Sequence, residues 1–316
     1  MPVNSQISPR SGGTGGSPSE GITGSKKSYI YALIAILFWA TVPTAFKISL
    51  GQLGILQMLT LASVTSAIVL FIAMIADGKA SLLKKSTSRQ LLNSALLGLI
   101  NPFIYYIILL KAYSLLPAQV AQPLNMIWPI ILVFLSVPLL KQRIPAKSFI
   151  ALFISFAGVY IISSQGKVLN PGQSNPQGIL LATGSSVFWA FYFILNVRDK
   201  RDESVKLFLN FMFGSLYLII TMLVTGGFAE PFTAKGILAS VYIGLFEMGI
   251  TFLFWLRALQ LASSTDKVSN LVYLAPFMSL ILVHFILREH VYYTTLAGLL
   301  LIVLGILIQN RKQTQL

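Results

Sequence analysis

Glu247 is the residue with the most chemistry to offer, in the run Gly244-Leu245-Phe246-Glu247-Met248-Gly249. It lies near the middle of an apolar segment, residues 236–261. A carboxylate at bilayer depth must pair, face water or take up a proton. Two roles follow: a proton-coupling site, or an anchor for a substrate ammonium group. A neutral, hydrogen-bonded helix-packing residue is the bland alternative. A second constellation is Gln119, Gln122, Asn125 and Trp128. Steps of three place them along one side of a helix. Amides there can read a polar substrate, and an indole can stack on an aromatic or cationic one. Hydrogen bonding between membrane helices accounts for the amides equally well.

Other candidates are weaker. Trp39 and Trp189 sit well inside apolar segments, which argues for a cavity wall or core rather than an interfacial belt. Tyr273, with Tyr105, Tyr106 and Trp255, can line an aromatic pocket or simply fill the core. Arg257 and Lys111 can meet a substrate carboxylate or phosphate, but long cations near an interface also snorkel. His284 has no second histidine or acid at ligand spacing, so no metal site is expected. There is no cysteine, no Walker-type glycine loop and no nucleophile motif. Thiol chemistry is excluded, and direct use of ATP and enzymatic catalysis are not expected.

The elements that must position these residues are membrane helices. The chain is 55% hydrophobic and only 10% charged, where soluble domains carry about 25% charged residues. Mean hydropathy is +0.78. Ten apolar segments are expected to cross the bilayer, at about 30–48, 53–76, 91–113, 117–140, 147–164, 178–197, 206–225, 236–261, 265–287 and 292–310. Residues 1–28 are rich in Gly, Ser and Pro and are expected as a disordered cytoplasmic tail. Residues 165–177 read as a linker and 311–316 as a second tail. The net charge of +14 is a topology signal rather than a nucleic-acid footprint. With the N-terminus inside, only Lys47, Lys111, Lys167, Lys235 and Arg288 of the 23 Lys and Arg fall outside. Both termini are therefore expected in the cytoplasm.

The chain also repeats itself. Residues 111–162 and 257–308 match in order: Lys111-Ala112 with Arg257-Ala258, Pro129 with Pro276, Leu140-Lys141-Gln142 with Leu287-Arg288-Glu289, and Gly158 with Gly305. Upstream, Phe38-Trp39-Ala40 recurs as Phe188-Trp189-Ala190. Two units of five spans, 29–164 and 178–310, are implied. An odd number per unit sets the second upside down relative to the first. Inverted repeats are a transporter signature, with the substrate site near the midplane.

With these motifs, residues 29–310 resemble the drug/metabolite transporter superfamily, in particular its EamA-type members. Asn125-Met126-Ile127-Trp128-Pro129 is further similar to the Asn-x-x-Trp-Pro of the aromatic amino acid exporter branch. One departure is visible: the acidic residue usual at the end of the fourth span is Gln142 here, whereas Glu289 keeps it in the ninth. The resemblance implies a ten-helix, five-plus-five inverted-repeat bundle around a central cavity, moving small organic metabolites by alternating access.

The expectation is thus an all-α inner- or plasma-membrane carrier that exports amino acids or similar amphipathic compounds. Substrate contacts are assigned to Trp39, Gln119, Gln122, Asn125, Trp128, Trp189, Tyr273 and Arg257, and proton coupling to Glu247. No cofactor is expected beyond a coupling proton. The partners are the small-molecule substrate and the lipid bilayer, not nucleic acid, and the chain is a monomer or homodimer. The rivals are an exchanger for a larger anionic or nucleoside-bearing metabolite, and a channel.

Overall fold

The computed structural model describes residues 18–140, 146–169, 174–262, 268 and 271–310. Among these, there is helix and no strand. Seven helical stretches are long and apolar enough to cross a bilayer, and three shorter apolar helices accompany them.

The first is α1 (Pro18–Leu50), followed by α2 (Ile55–Ala76). A short 3-10 turn, Ala80–Lys85, then leads into α3 (Ser88–Gly98) and α4 (Tyr105–Leu115), two parts of one stretch. The next stretch is likewise split, into α5 (Ala118–Asn125) and α6 (Trp128–Leu140). After α7 (Ala146–Ser163) come α8 (Pro176–Arg198) and α9 (Glu203–Thr225). A third split stretch contains α10 (Ala234–Phe246) and α11 (Ile250–Leu261). A 3-10 turn, Leu271–Tyr273, opens α12 (Leu274–Leu287), and α13 (Tyr293–Asn310) ends the described chain.

Two expectations are corrected. The spans expected at 91–113, 117–140 and 236–261 are each interrupted and become pairs of helices, with side chains of neighbouring helices bonding to the carbonyls freed at Asn125 and Met248. The tail expected over 1–28 is shortened, since helix begins at Pro18. A proline in a first turn has no helical N–H bond to lose. The Ser28 hydroxyl donates to the Ala258 carbonyl at 2.7 Å, and Ala32 packs on Ala258 and Val268, which extends the helix beyond its apolar run. Residues 1–17, 311–316 and Gln142 lie outside the described residues. Within the expected linker, the Asn175 side chain accepts from Gly178 N at 3.0 Å and Pro176 follows it. That is a helix start at low cost.

Packing runs mostly between the two parts of the chain. α1 lies on α10, α11 and α12, while α8 lies on α4, α5 and α6. α2 packs on α9, and α7 on α13. The α7–α13 contact is backbone on backbone. A Cβ on Gly158 would stand 2.6 Å from the Gly298 carbonyl oxygen, and one on Gly298 would stand 2.5 Å from that of Gly158. Without water to drive association, close approach through small residues maximises dispersion. The outer faces remain apolar, with Phe153 and Phe285 each 75% exposed.

Candidate functional site

The split stretches gather the polar residues. α10 ends at Phe246, and Glu247 is its C-cap, with its N–H on the Ile243 carbonyl at 2.8 Å. Gly249 has φ −117° and ψ −99°, outside the helical region, and α11 restarts at Ile250. Side chains satisfy the freed carbonyls, as a break in hydrocarbon requires. Ser66 Oγ donates to Met248 O at 2.9 Å, and Thr251 Oγ1 donates to Phe246 O. The break falls halfway along the 28-residue stretch, which puts the Glu247 carboxylate at mid-depth.

A corresponding break parts α3 from α4 at Leu99–Ile104, where Asn101 is extended at φ −142°, ψ 119°. Gly98 and Gly244 each stand three residues ahead, at Asn101 and Glu247 respectively. Gly98 abuts the backbone of Asn210 and Gly214 on α9, and Gly244 abuts Ala62 on α2. A side chain at either position would displace the broken helix from its neighbour.

The third break has a cause that can be read atom by atom. Pro129, in the first turn of α6, has no N–H to give the Asn125 carbonyl four residues back. Ser186 Oγ of α8 supplies that donor at 2.9 Å. The Asn125 side chain is then fixed between helices: Nδ2 donates to Ser185 Oγ at 2.8 Å, and Oδ1 accepts from Tyr105 Oη at 3.3 Å. Tyr106, next along α4, donates from its Oη to Glu247 Oε1 at 3.0 Å. The two tyrosine rings are edge to face at 4.7 Å. Trp189 continues the wall, 5.1 Å from Tyr105, 6.3 Å from Trp128 and 5.8 Å from Tyr192 between ring centroids.

Exposure separates the supports from the accessible groups. Tyr105 and Tyr106 are buried, while Glu247, Asn125, Trp128, Trp189 and Gln122 each keep part of their surface open. The Gln122 carbonyl oxygen is itself buried and has no hydrogen-bond partner among the described residues. The arrangement is one carboxylate beside aromatic rings and amides, suited to holding an ammonium group or a proton.

Of the residues assigned from sequence, Asn125, Trp128, Trp189 and Glu247 come together here. Gln119 does not. Its Nε2 donates to His290 O at 2.5 Å, and its Oε1 accepts from Tyr292 N at 3.2 Å and Thr295 Oγ1 at 3.1 Å. Trp39 stands in a second aromatic group, with Phe252 at 5.8 Å and Trp255 at 5.4 Å. Tyr273 packs against the main core. Arg257 is exposed and meets Gln260 Oε1 at 3.4 Å. It lies seven residues into α11 from Ile250, a rise of about 10 Å beyond the break.

Sequence reasoning passed over Tyr106 as the partner of Glu247, and over Asn101. Asn101 had a signal: Gly98-x-x-Asn101 and Gly244-x-x-Glu247 have the same separation as Lys111 and Arg257. Among the described residues no group of three His, Asp or Glu is placed to hold a metal ion.

A bundle of long apolar helices, several of them broken, with a carboxylate midway along one, has the architecture of a multi-pass membrane protein. The EamA-like transporter family model matches residues 26–164 and again 176–311, and the chain belongs to that family. A Clostridium kluyveri protein named "Uncharacterized transporter" is 26% identical over 302 residues, covering 92% of this chain and 96% of its own. Bacillus subtilis "Uncharacterized transporter YvbV" is 29% identical, over 68% of this chain and 70% of its own. Protein PecM of Dickeya dadantii is 21% identical, over 67% and 71%. A crystal structure at 20% identity superposes with a TM-score of 0.62, over 90% of this chain and 97% of that one, which supports the fold alone.

Proposed function

We propose that this transporter is a secondary carrier that exports amino acids or similar small amphipathic metabolites by alternating access. Its two five-helix units would insert in opposite senses, with both termini in the cytoplasm of an inner or plasma membrane. The reciprocal packing of α1 on α10–α12 and of α8 on α4–α6 supports that reading, since a two-fold relation between the units requires such exchange. Asn125, Gln122, Trp128 and Trp189 would contact substrate, and Glu247 would take up and release the coupling proton. Gln119 is given instead to holding the connection at 290–295, and the exposed position of Arg257 counts against an anion exchanger.

The observation that carries the proposal is Glu247 itself, at a helix break at mid-depth, partly open, with Tyr106 as its hydrogen-bond donor. Proteoliposomes loaded with radiolabelled amino acids, with and without a pH gradient, test it. Trans-substrate should accelerate flux, and Glu247→Gln should retain exchange while losing its response to the gradient. An unaltered pH response in the variant would remove Glu247 from coupling. Flux indifferent to trans-substrate would mean a pore.

A further inference from the structure

A separate polar site lies at the end of the bundle where the connection from α2 to α3 meets the connection from α8 to α9. A cavity of about 220 Å³ opens there. Its polar wall is Lys85, Ser86, Gln90, Arg201 and Asp202, and its apolar wall is Leu82 and Val205. The apolar side rests on a small cluster with Met74 and Leu209, so its floor is packed.

Arg201 is built into the fold rather than laid on the surface, its side chain being 8% exposed. Nε donates to both oxygens of Asp199 at 3.0 Å, and Nη2 donates to Asp199 Oδ2 at 2.5 Å and to Ser94 Oγ at 2.7 Å. Nη1 is buried and has no partner among the described residues. A guanidinium offers five N–H donors in a rigid fork, and leaving two of them unmatched inside a protein is costly. Asp199, which receives Asn93 Nδ2 as well at 3.1 Å, is already matched. Asp202 also borders the cavity, but Lys79 holds its carboxylate at 3.1 Å, with Asp77 at 3.6 Å on the other side of that lysine. Lys85 therefore faces the cavity as a cation with no acid paired to it among the described residues. Ser86 and Gln90 flank Thr87, the N-cap of α3, where Thr87 and Gln90 already satisfy each other's N–H groups, so the helix adds only the positive end of its dipole to this space.

We infer that this cavity binds a phosphate-bearing anion, with Arg201 and Lys85 as its positively charged wall and Ser86 as a hydroxyl donor. Arg201 supplies a fixed, planar contact and Lys85 a mobile charge, the usual division of labour for phosphate. Two sources share that chemistry: the headgroup of an anionic phospholipid, and a free phosphate or phosphate ester. The apolar wall and the adjoining lipid-facing surface favour the lipid. Leu92 and Leu96 on α3 are 61% and 53% exposed.

The full chain, purified in neutral detergent, is mixed with equal amounts of phosphatidylglycerol and phosphatidylcholine, and retained lipid is read by native mass spectrometry. Phosphatidylglycerol should be retained in preference, and Lys85→Gln should cut that preference about fivefold, the effect of one basic residue on an anionic headgroup. Lys85 is exposed, so the variant keeps its fold; an unchanged melting temperature checks this. Displacement of the retained lipid by inorganic phosphate or glycerol phosphate at millimolar level would assign the site to free phosphate. Failure of either to compete would assign it to the lipid. Equal retention of the two lipids together with no bound phosphate, or a preference untouched by Lys85→Gln, overturns the inference.

Discussion

Replacing Asn125 by leucine tests the junction on which the site rests. Leucine matches asparagine in size but removes both side-chain hydrogen bonds, to Tyr105 Oη and Ser185 Oγ. The two losses are unequal. Ser185 Oγ retains the Ala182 carbonyl at 2.6 Å, so it is not orphaned. The Tyr105 hydroxyl, on a residue 5% exposed, loses its hydrogen-bond acceptor. An unmatched buried hydroxyl costs about 1–3 kcal/mol. Measured bonds between membrane helices average about 0.6 kcal/mol, which sets a floor. Asn125→Leu should therefore lose about 1–3 kcal/mol of unfolding free energy, read by denaturant titration in mixed micelles. Tyr105→Phe alone should cost less, because Asn125 is partly open and its oxygen can find water. Combining the two should recover most of the loss, since no buried donor is then left over. Counterflow should stay depressed in both Asn125 variants, because the amide would also be missing from the substrate. If the two substitutions simply add to within about 0.5 kcal/mol, the hydrogen bond does not join these helices and the argument fails.

Three further outcomes are expected. Gly298→Val should separate α7 from α13 and lower the melting temperature in detergent, whereas Gly184→Ala, with nothing within 4 Å of the added carbon, should leave it unchanged or slightly raised. Asp199→Asn leaves Arg201 buried without its counter-charge and should cost about 3–5 kcal/mol, seen as a lower melting temperature or lost expression. For pH dependence, burial raises the carboxyls of Asp199 and Asp202, but the hydrogen bonds and charge of Arg201 and Lys79 outweigh it and hold both below the ordinary value. The unfolded chain then binds more protons, so this contribution is complete above the unfolded value and is lost as pH falls through the folded ones. Melting temperature should not vary through these two groups above about pH 5 and should fall below about pH 4, with Asp202→Asn flattening part of the fall.

Glu247 was legible in sequence because a carboxylate in an apolar run has few physical solutions. Its partner was not, because Tyr106 and Glu247 are brought together across 141 positions by helix packing that no local pattern encodes. The amide stripe does not stay together in the structure for a related reason. Steps of three assume one continuous helix, but α5 ends at Asn125 and α6 starts at Trp128. Gln119 therefore turns to the connection before α13, while Asn125 turns to α8. Pro129 carried the warning of a break, since its missing N–H is written in the sequence. Gly249 did not, since glycine is also common in unbroken membrane helices.

The breaks and the site have one origin. Interrupting a helix within hydrocarbon frees carbonyls and amides that lipid cannot satisfy, so the interruption is stable only where other helices bring donors to it. Ser66 and Thr251 do this at the interruption between α10 and α11, and Ser186 at the one between α5 and α6. Once such donors are assembled, the same neighbourhood can hold a carboxylate that would be too costly on an unbroken, lipid-facing helix. Glu247 sits as the cap of α10 for that reason: the position that ends the helix is the one where the surroundings are already polar, and where a small displacement of either half-helix would change what the carboxylate faces.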